Sequence, residues 1–328
     1  MNVTAIRAGF LTSVQDLGRT GLREFGISLG GALDAHALRV ANLLVANDES
    51  AAGLEITFGG LRLRFADKRI IAWCGGDFVA QIGATSLPSG HPGLVRRGEE
   101  FFIESPILGC RAWIAISGGI DVSIVLGSRS ADLRAGFGGA NFRPLRDGQE
   151  FSLGMSSRRS QTLIEKLRDK RIASWKPPHD WSSTARREPI LRFIRGSDSN
   201  RFNSSALEYL TTEAFVVSPD SDRMGVRLDG PALERCNDVD LLSEAVAPGT
   251  VQVPPSGKPI VLLNDCQTIG GYPKIAHVIT VDLGIAAQLR ASDRVSFNEV
   301  SLGEAHRALS ERERDLEQFR HGIESHFD

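Results

Sequence analysis

The sequence runs to 328 residues with 41% hydrophobic side chains, a length that favours two domains and enough apolar material for real cores. A formal net charge of −2 excludes bulk attraction to nucleic acid or to an anionic membrane surface. The 34 glycines and 2 tyrosines fit a turn-rich protein built of short strands. Cys74, Cys110, Cys236 and Cys266 show no C-x-x-C spacing, which argues against a zinc or redox motif. Three of these cysteines adjoin apolar runs and are expected as buried thiols, in a reduced, cytoplasmic setting. No basic-then-apolar leader opens the chain, and no apolar run is long enough to span a bilayer.

Residues 3–15 predict a strand, and Asp16-Leu17-Gly18-Arg19-Thr20-Gly21-Leu22-Arg23 a turn. The same D-x-[GD]-R-x-G-x-R pattern returns at Asp220–Arg227. Leu54–Gly60 resembles Ser243–Gly249, and Ile70–Gly76 resembles the stretch from Ile260 to Asp265, in the same order. Two related units of short strands follow from that order. The first unit carries an insert, a helix over 34–46 with Asp34 as N-cap and Asn47-Asp48 as its end. Its polar members are His36 and Asn42, and His36 is expected to face solvent. Leu61-Arg62-Leu63-Arg64-Phe65 alternates as a half-buried strand does. Strands at 101–103 and 111–116 lead into loops of small residues, Ser117-Gly118-Gly119, Leu126-Gly127-Ser128-Arg129-Ser130 and Gly136-Phe137-Gly138-Gly139. Backbone N–H groups in such loops form anion-binding concavities, and Arg129 can grip a carboxylate or phosphate with two prongs. The competing reading is tight β-turns with Arg129 paired to a nearby acid.

Residues 156–188 are charged and lack alternation, which predicts a linker or peripheral segment with a short helix at 161–170. Strands restart at Leu191, and a helix is expected over 201–210. The apolar run 259–263 predicts a buried strand, followed by Asn264-Asp265-Cys266-Gln267-Thr268-Ile269-Gly270-Gly271-Tyr272-Pro273-Lys274. Paired glycines let a ligand approach the main chain, with Asp265, Gln267, Thr268 and Lys274 on a polar rim. An ordinary strand corner is the bland alternative. The tail opens on Ser301-Leu302-Gly303-Glu304, a capping box, and then carries an apolar stripe at Leu302, Leu309, Leu316 and Ile323. The stripe predicts an amphipathic helix docked on its own domain. G-x-x-x-x-G-K-[ST], a full G-x-G-x-x-G, H-E-x-x-H and G-x-S-x-G are all missing, and the seven histidines are scattered, so no histidine-based metal site is expected.

Several motifs together carry a family resemblance: Gln15–Arg19, Gly31–Asp34, Ala41-Asn42, Leu54-Glu55, Gly118–Val122, Leu126–Ser130, Asp222–Gly225, Val251–Pro255 and Gln267–Pro273. They resemble the family that includes the C component of bacterial 5-oxoprolinase, allophanate hydrolase subunit 2 in older naming, and the second half of the carboxyltransferase region of urea carboxylase. The resemblance covers about residues 3–298. It implies a mainly β fold of tandem cyclophilin-like β-barrels: a first barrel over 1–155, a linker over 156–188, a second barrel over 189–300 and a helical tail over 301–328. It also implies a sister protein, the B component, and in 5-oxoprolinase a third, the A component, with this chain as the lone C component. Cys266, Ala131 and Asn141-Phe142 depart from the usual pattern and leave the substrate open.

What the resemblance implies chemically is ATP-dependent opening of a lactam. Phosphorylating the carbonyl oxygen turns it into a leaving group and exposes the carbon to water, a step that needs cations and N–H donors. Lys274, Arg129 and the Gly118-Gly119 and Gly270-Gly271 backbones are the candidates for that role. Asp265 either binds magnesium or orients the ring N–H. Ser128, Ser130, Gln267, Thr268, Tyr272, Asp16, Arg19, Asn42, Glu55 and Arg223 complete the candidate binding set, with turn-locking and ion-pair roles as the structural alternative for Asp16, Arg19 and Arg223. One alternative function is carboxyl transfer from carboxybiotin to urea or an amide. Another is a non-catalytic partner of the sister component, of the kinase-inhibitor antagonist type.

Overall fold

The computed structural model describes residues 2–138, 143–237 and 241–327. Gly139 and Asn141-Phe142 lie outside the described residues. The chain divides into two compact units: 1–19, 30–185 and 315–328 form the first, and 20–29 with 186–314 form the second.

The first unit contains β1 (Asn2–Ala8), β2 (Leu11–Gln15), α1 (Ala35–Leu44), β3 (Gly53–Thr57), β4 (Leu61–Phe65), β5 (Arg69–Ile82), β6 (Thr85–Ser86), β7 (Gly93–Val95), β8 (Glu100–Ile116), β9 (Glu150–Ser152), α2 (Arg158–Lys166) and α3 (His179–Ser182). Nine strands make one sheet, ordered β2-β3-β8-β4-β1-β9, with β5 laid along β8 and carrying β6 and β7. The expected strand over 3–15 breaks at Gly9, whose φ is +77°. A Cβ there would sit 2.4 Å from the Gly59 carbonyl oxygen, so only glycine lets the two backbones cross. β4 buries Leu61, Leu63 and Phe65 and exposes Arg62 and Arg64, which is the period-2 pattern of its sequence. The core joins Val3, Leu54, Ile56, Leu63, Phe65, Trp73, Phe101 and Ile114.

α1 starts where the sequence places it, with the Asp34 side chain accepting from the Ala37 N–H. It is buried nearly all round, and His36 is buried with it, its ring edge-on to Trp181 at 5.2 Å. The solvent-facing position expected for His36 is therefore corrected: α3 brings Trp181 over that face. Residues 156–185, read as a linker, hold α2 and α3, bury Leu163 and Leu167, and count with this unit.

The second unit contains β10 (Ile190–Arg195), α4 (Ser204–Thr212), β11 (Phe215–Val217), β12 (Gly225–Asp229), β13 (Glu244–Ala245), β14 (Thr250–Gln252), β15 (Ile260–Leu262), β16 (Ile269–Gly270), β17 (Lys274–Val278), α5 (Leu283–Ala286) and β18 (Arg294–Glu299). Seven strands close a barrel in the order β10-β17-β14-β15-β12-β11-β18, the seam being the parallel pair β10–β18. Phe297 packs edge-on to both Phe193 and Phe215 inside it. β13 and β16 form a separate two-stranded sheet.

α6 (Leu302–Glu324) opens with the expected capping box. Ser301 N donates to Glu304 Oε2 at 2.7 Å, and Glu304 N donates to Ser301 Oγ at 3.2 Å. Leu316 and Ile323 are buried, whereas Leu302 stays 55% exposed. Among the described residues no helix is long and apolar enough to cross a membrane.

Candidate functional site

In the first unit the loop 125–130 is tied down by Asp16 and Arg19. Asp16 Oδ1 accepts from Gly18 N (2.8 Å), Ser128 Oγ (2.6 Å) and Ser130 Oγ (2.5 Å), while Oδ2 accepts from Arg129 N (2.6 Å). Arg19, 1% exposed, donates to the carbonyls of Ser130 (2.6 Å) and Val125 (3.3 Å) and lies 4.7 Å over the Phe137 ring. The Ser128 and Ser130 hydroxyls are consumed by this carboxylate. Arg129 is half-buried, and among the described residues its guanidinium makes no hydrogen bond or ion pair.

The other candidates of this unit face inward. Asn42 donates to the Ala51 carbonyl (2.7 Å) and accepts from Asn47 (3.0 Å). Glu55, 2% exposed, accepts from Leu33 N and Trp113 Nε1, each at 2.9 Å. The Gly118-Gly119 backbone, expected as an anion cradle, is occupied by the fold instead. Gly118 N donates to Asn47 Oδ1 (2.8 Å) and Gly119 N to the Ile116 carbonyl (2.8 Å). A Cβ on Gly118 would meet the Gly154 oxygen at 2.3 Å, so tight packing explains that glycine. A cleft of about 690 Å³ in this unit is lined by Asn47, Asp48, Arg159, Arg320 and Glu324 among others, and by none of the sequence-predicted site residues.

In the second unit Asp265 and Arg223 form a buried two-pronged pair, Nε to Oδ2 at 2.8 Å and Nη2 to Oδ1 at 3.0 Å. Both carboxylate oxygens accept from the guanidinium, which does not fit the magnesium role considered for Asp265. Among the described residues no three His, Cys, Asp or Glu side chains converge where a metal ion could be held. Lys274 lies between Glu244 (2.7 Å) and Asp198 (3.1 Å), with its side chain 11% exposed. Burial works against its charge, but the hydrogen bonds to Glu244 and Asp198 outweigh that, and its pKa sits above the ordinary lysine value. A lysine already neutralised by two carboxylates is a poor phosphate ligand unless one of them leaves.

The rim between Asp265 and Lys274 is built of amides. Gln267 Nε2 donates to Gln252 Oε1 (3.3 Å), and Gln252 Nε2 donates to the Tyr272 carbonyl (3.2 Å). Gln252 is 1% exposed, whereas Gln267 is exposed. Among the described residues the Gln267 carboxamide oxygen accepts nothing. Gly270 leaves room for this pair, since a Cβ there would sit 2.7 Å from Gln252 Nε2. Thr268 gives its carbonyl to Val246 N (3.0 Å), and Tyr272 is 47% exposed. Cys266 is fully buried, and burial holds its thiol above the usual range against the nearby Arg23 charge.

The structure thus brings Asp16, Arg19, Ser128, Arg129 and Ser130 together in one unit. It brings Arg223, Asp265, Gln267, Gly270, Tyr272 and Lys274 together in the other. Gln252, Asp198, Glu244 and Arg23 were missed as site residues. The signal for two of them was present: Gln252 lies in the Val251–Pro255 motif, and Arg23 closes the first copy of the repeated turn.

The carboxyltransferase domain model, subdomain A and B, matches residues 25–299. The 5-oxoprolinase C component of Escherichia coli is 39% identical over 95% of this chain and 96% of its own length. That of Haemophilus influenzae is 34% identical over 94% of each. The crystal structure of the Kluyveromyces lactis urea carboxylase superposes with a TM-score of 0.86 at 26% identity, over 97% of this chain and 29% of that one.

Proposed function

The chain belongs to the carboxyltransferase domain family, and from that premise we propose that it is the C component of an ATP-dependent 5-oxoprolinase. It would act with the A and B components, in the cytoplasm, to open 5-oxoproline to glutamate. The observation that carries this reading is the end-to-end likeness to the Escherichia coli 5-oxoprolinase C component, at nearly equal length. The local chemistry supports it. A lactam presents one N–H and one carbonyl, and the Gln267–Gln252 chain offers a matching neutral acceptor on a held carboxamide.

In this reading the residues of the second unit bind and orient the amide. ATP, when bound to the complex, supplies the phosphoryl group that activates the lactam oxygen. Lys274 is committed to carboxylates and the Gly118-Gly119 N–H groups to the fold, so Arg129 is the candidate in this chain for contact with an anionic group. The phosphates are therefore assigned mainly to the partner proteins. The test is ATP-dependent glutamate release from 5-oxoproline by the purified complex. No turnover with any partner combination removes the proposal.

A second reading, carboxyl transfer to urea or an amide, is favoured by the superposition on the Kluyveromyces lactis urea carboxylase. An amide-binding rim suits either substrate. Carboxyl transfer from free carboxybiotin, without ATP hydrolysis, separates the two.

A further inference from the structure

Residues Thr20–Leu29 count with the second unit although the first unit flanks them in sequence on both sides. This strap contains one turn of 3-10 helix, Arg23–Phe25, closed by Gly26 N donating to the Arg23 carbonyl (3.0 Å), and none of the turn's residues is buried. One of its anchors is a side chain. Arg23 Nη2 donates to the carbonyls of Val246 (2.5 Å) and Gln267 (3.1 Å) and lies 3.9 Å from Cys266 Sγ.

These acceptors flank the small sheet that forms the rim. β13 pairs with β16 over only two residues each, Glu244 with Gly270 and Ala245 with Ile269. A two-stranded sheet so short has no independent stability. Yet β13 carries Glu244, the partner of Lys274, and the segment 266–268 leads from the Asn264-Asp265 turn into β16. Val246 and Cys266 pack together with Leu262 beneath it. Arg23 Nη1 is buried and finds no partner among the described residues, a cost of about 1–3 kcal/mol that stability alone would not select.

We infer that Arg23 is a positioning residue: by stapling Val246 to Gln267 it holds the β13–β16 rim in the geometry that presents Gln267 and Glu244 to an amide substrate. The claim about substrate rests on the function proposed above, and the claim about the staple does not. Both bonds leave the one nitrogen Nη2, so a lysine ammonium, which also carries several N–H donors but lacks the rigid planar group, should keep only part of the staple.

The first readout is thiol modification of Cys266 in the full-length chain under native conditions, resolved by peptide mapping with exposed Cys236 as the internal reference. The sign of the change is diagnostic. If the rim stays closed in Arg23→Ala, losing the nearby positive charge makes the buried thiol harder to ionise and modification slows. If the rim opens, water reaches the thiol and modification accelerates. We expect Arg23→Ala to react about tenfold faster, as for loss of one net hydrogen bond, and Arg23→Lys to fall in between. Amide protection of β10 and β17 should remain at the wild-type level. Unchanged or slower modification overturns the staple. If Arg23→Ala loses the barrel protection, Arg23→Lys decides by the same measure.

The second readout is steady-state turnover by the complex. KM for 5-oxoproline should rise about tenfold with kcat within about twofold, and Arg23→Lys should recover part of the KM. Failure of the wild-type complex to turn over defeats the functional reading and leaves the thiol result to judge the staple. A working complex in which Arg23→Ala keeps both its KM and its Cys266 protection defeats the staple alone.

Discussion

Asp16→Ala tests whether the carboxylate is a tie for the loop 125–130 or a ligand group. Asp16 is 8% exposed and accepts four hydrogen bonds, from Gly18 N, Arg129 N, Ser128 Oγ and Ser130 Oγ. Alanine leaves all four donors without their acceptor. The two hydroxyls can rotate to new partners, but the two backbone N–H groups cannot. Hydrogen bonds to a charged acceptor contribute about 1.5–3 kcal/mol each, so the two fixed donors alone put the loss at about 3 kcal/mol or more. Asp16→Asn keeps one oxygen but turns an N–H₂ toward the other donors, and should lose roughly half as much. All four tryptophans, Trp73, Trp113, Trp175 and Trp181, lie in the first unit, so urea unfolding followed by tryptophan fluorescence reads this unit selectively. An unfolding midpoint equal to that of the wild type, together with lost turnover, would refute the tie and make Asp16 a ligand residue.

Further outcomes follow from the second unit. Asp265→Ala removes the two-pronged carboxylate from the buried Arg223 guanidinium and should destabilise the barrel by about 3–5 kcal/mol, read by amide exchange of β12 and β15. The double variant Arg223→Met/Asp265→Leu should recover most of that loss, and equal destabilisation in both would contradict the argument. Gln267→Ala should raise KM for 5-oxoproline about tenfold with little change in kcat, the signature of lost binding to a neutral group. An unaltered KM would remove Gln267 from the site. Burial lowers the pKa of His277 below the ordinary histidine value, so the unfolded chain takes up a proton at a higher pH than the folded one. Barrel stability is then full above about pH 6.5 and falls as the pH drops below that value. His277→Asn should flatten this slope between about pH 7 and pH 5, and a slope identical to wild type would assign it to other groups.

Local pattern made the fold legible where burial follows a simple period. The alternation of Leu61–Phe65, the Asp34 cap and the Ser301–Glu304 box each appear in the structure as read. His36 was misread because helical spacing shows one apolar face and says nothing of a second layer, here Trp181, supplied from far along the chain. The site was legible as a set of loops but not as chemistry. Lys274 looks like a free cation in sequence, and only the fold brings Asp198 and Glu244 to it. The Gly118-Gly119 pair looks like an anion nest, yet its N–H groups are taken by Asn47 and Ile116. Arg23 was hidden for the same reason, since its acceptors lie more than two hundred positions away.

The segment after residue 314 completes the same unit that β1 opens. Leu316, Ile323 and Phe327 are buried within the first unit, and His326 stacks on Trp175 at 4.6 Å. A nascent chain leaving the ribosome therefore carries an unfinished first unit until residues 315–327 have emerged, and the 20–29 ribbon waits for a barrel not yet translated. A premature stop near residue 314 would leave a sticky apolar seam on the first unit, and a protease cut near residue 186 would release two incomplete pieces rather than two domains.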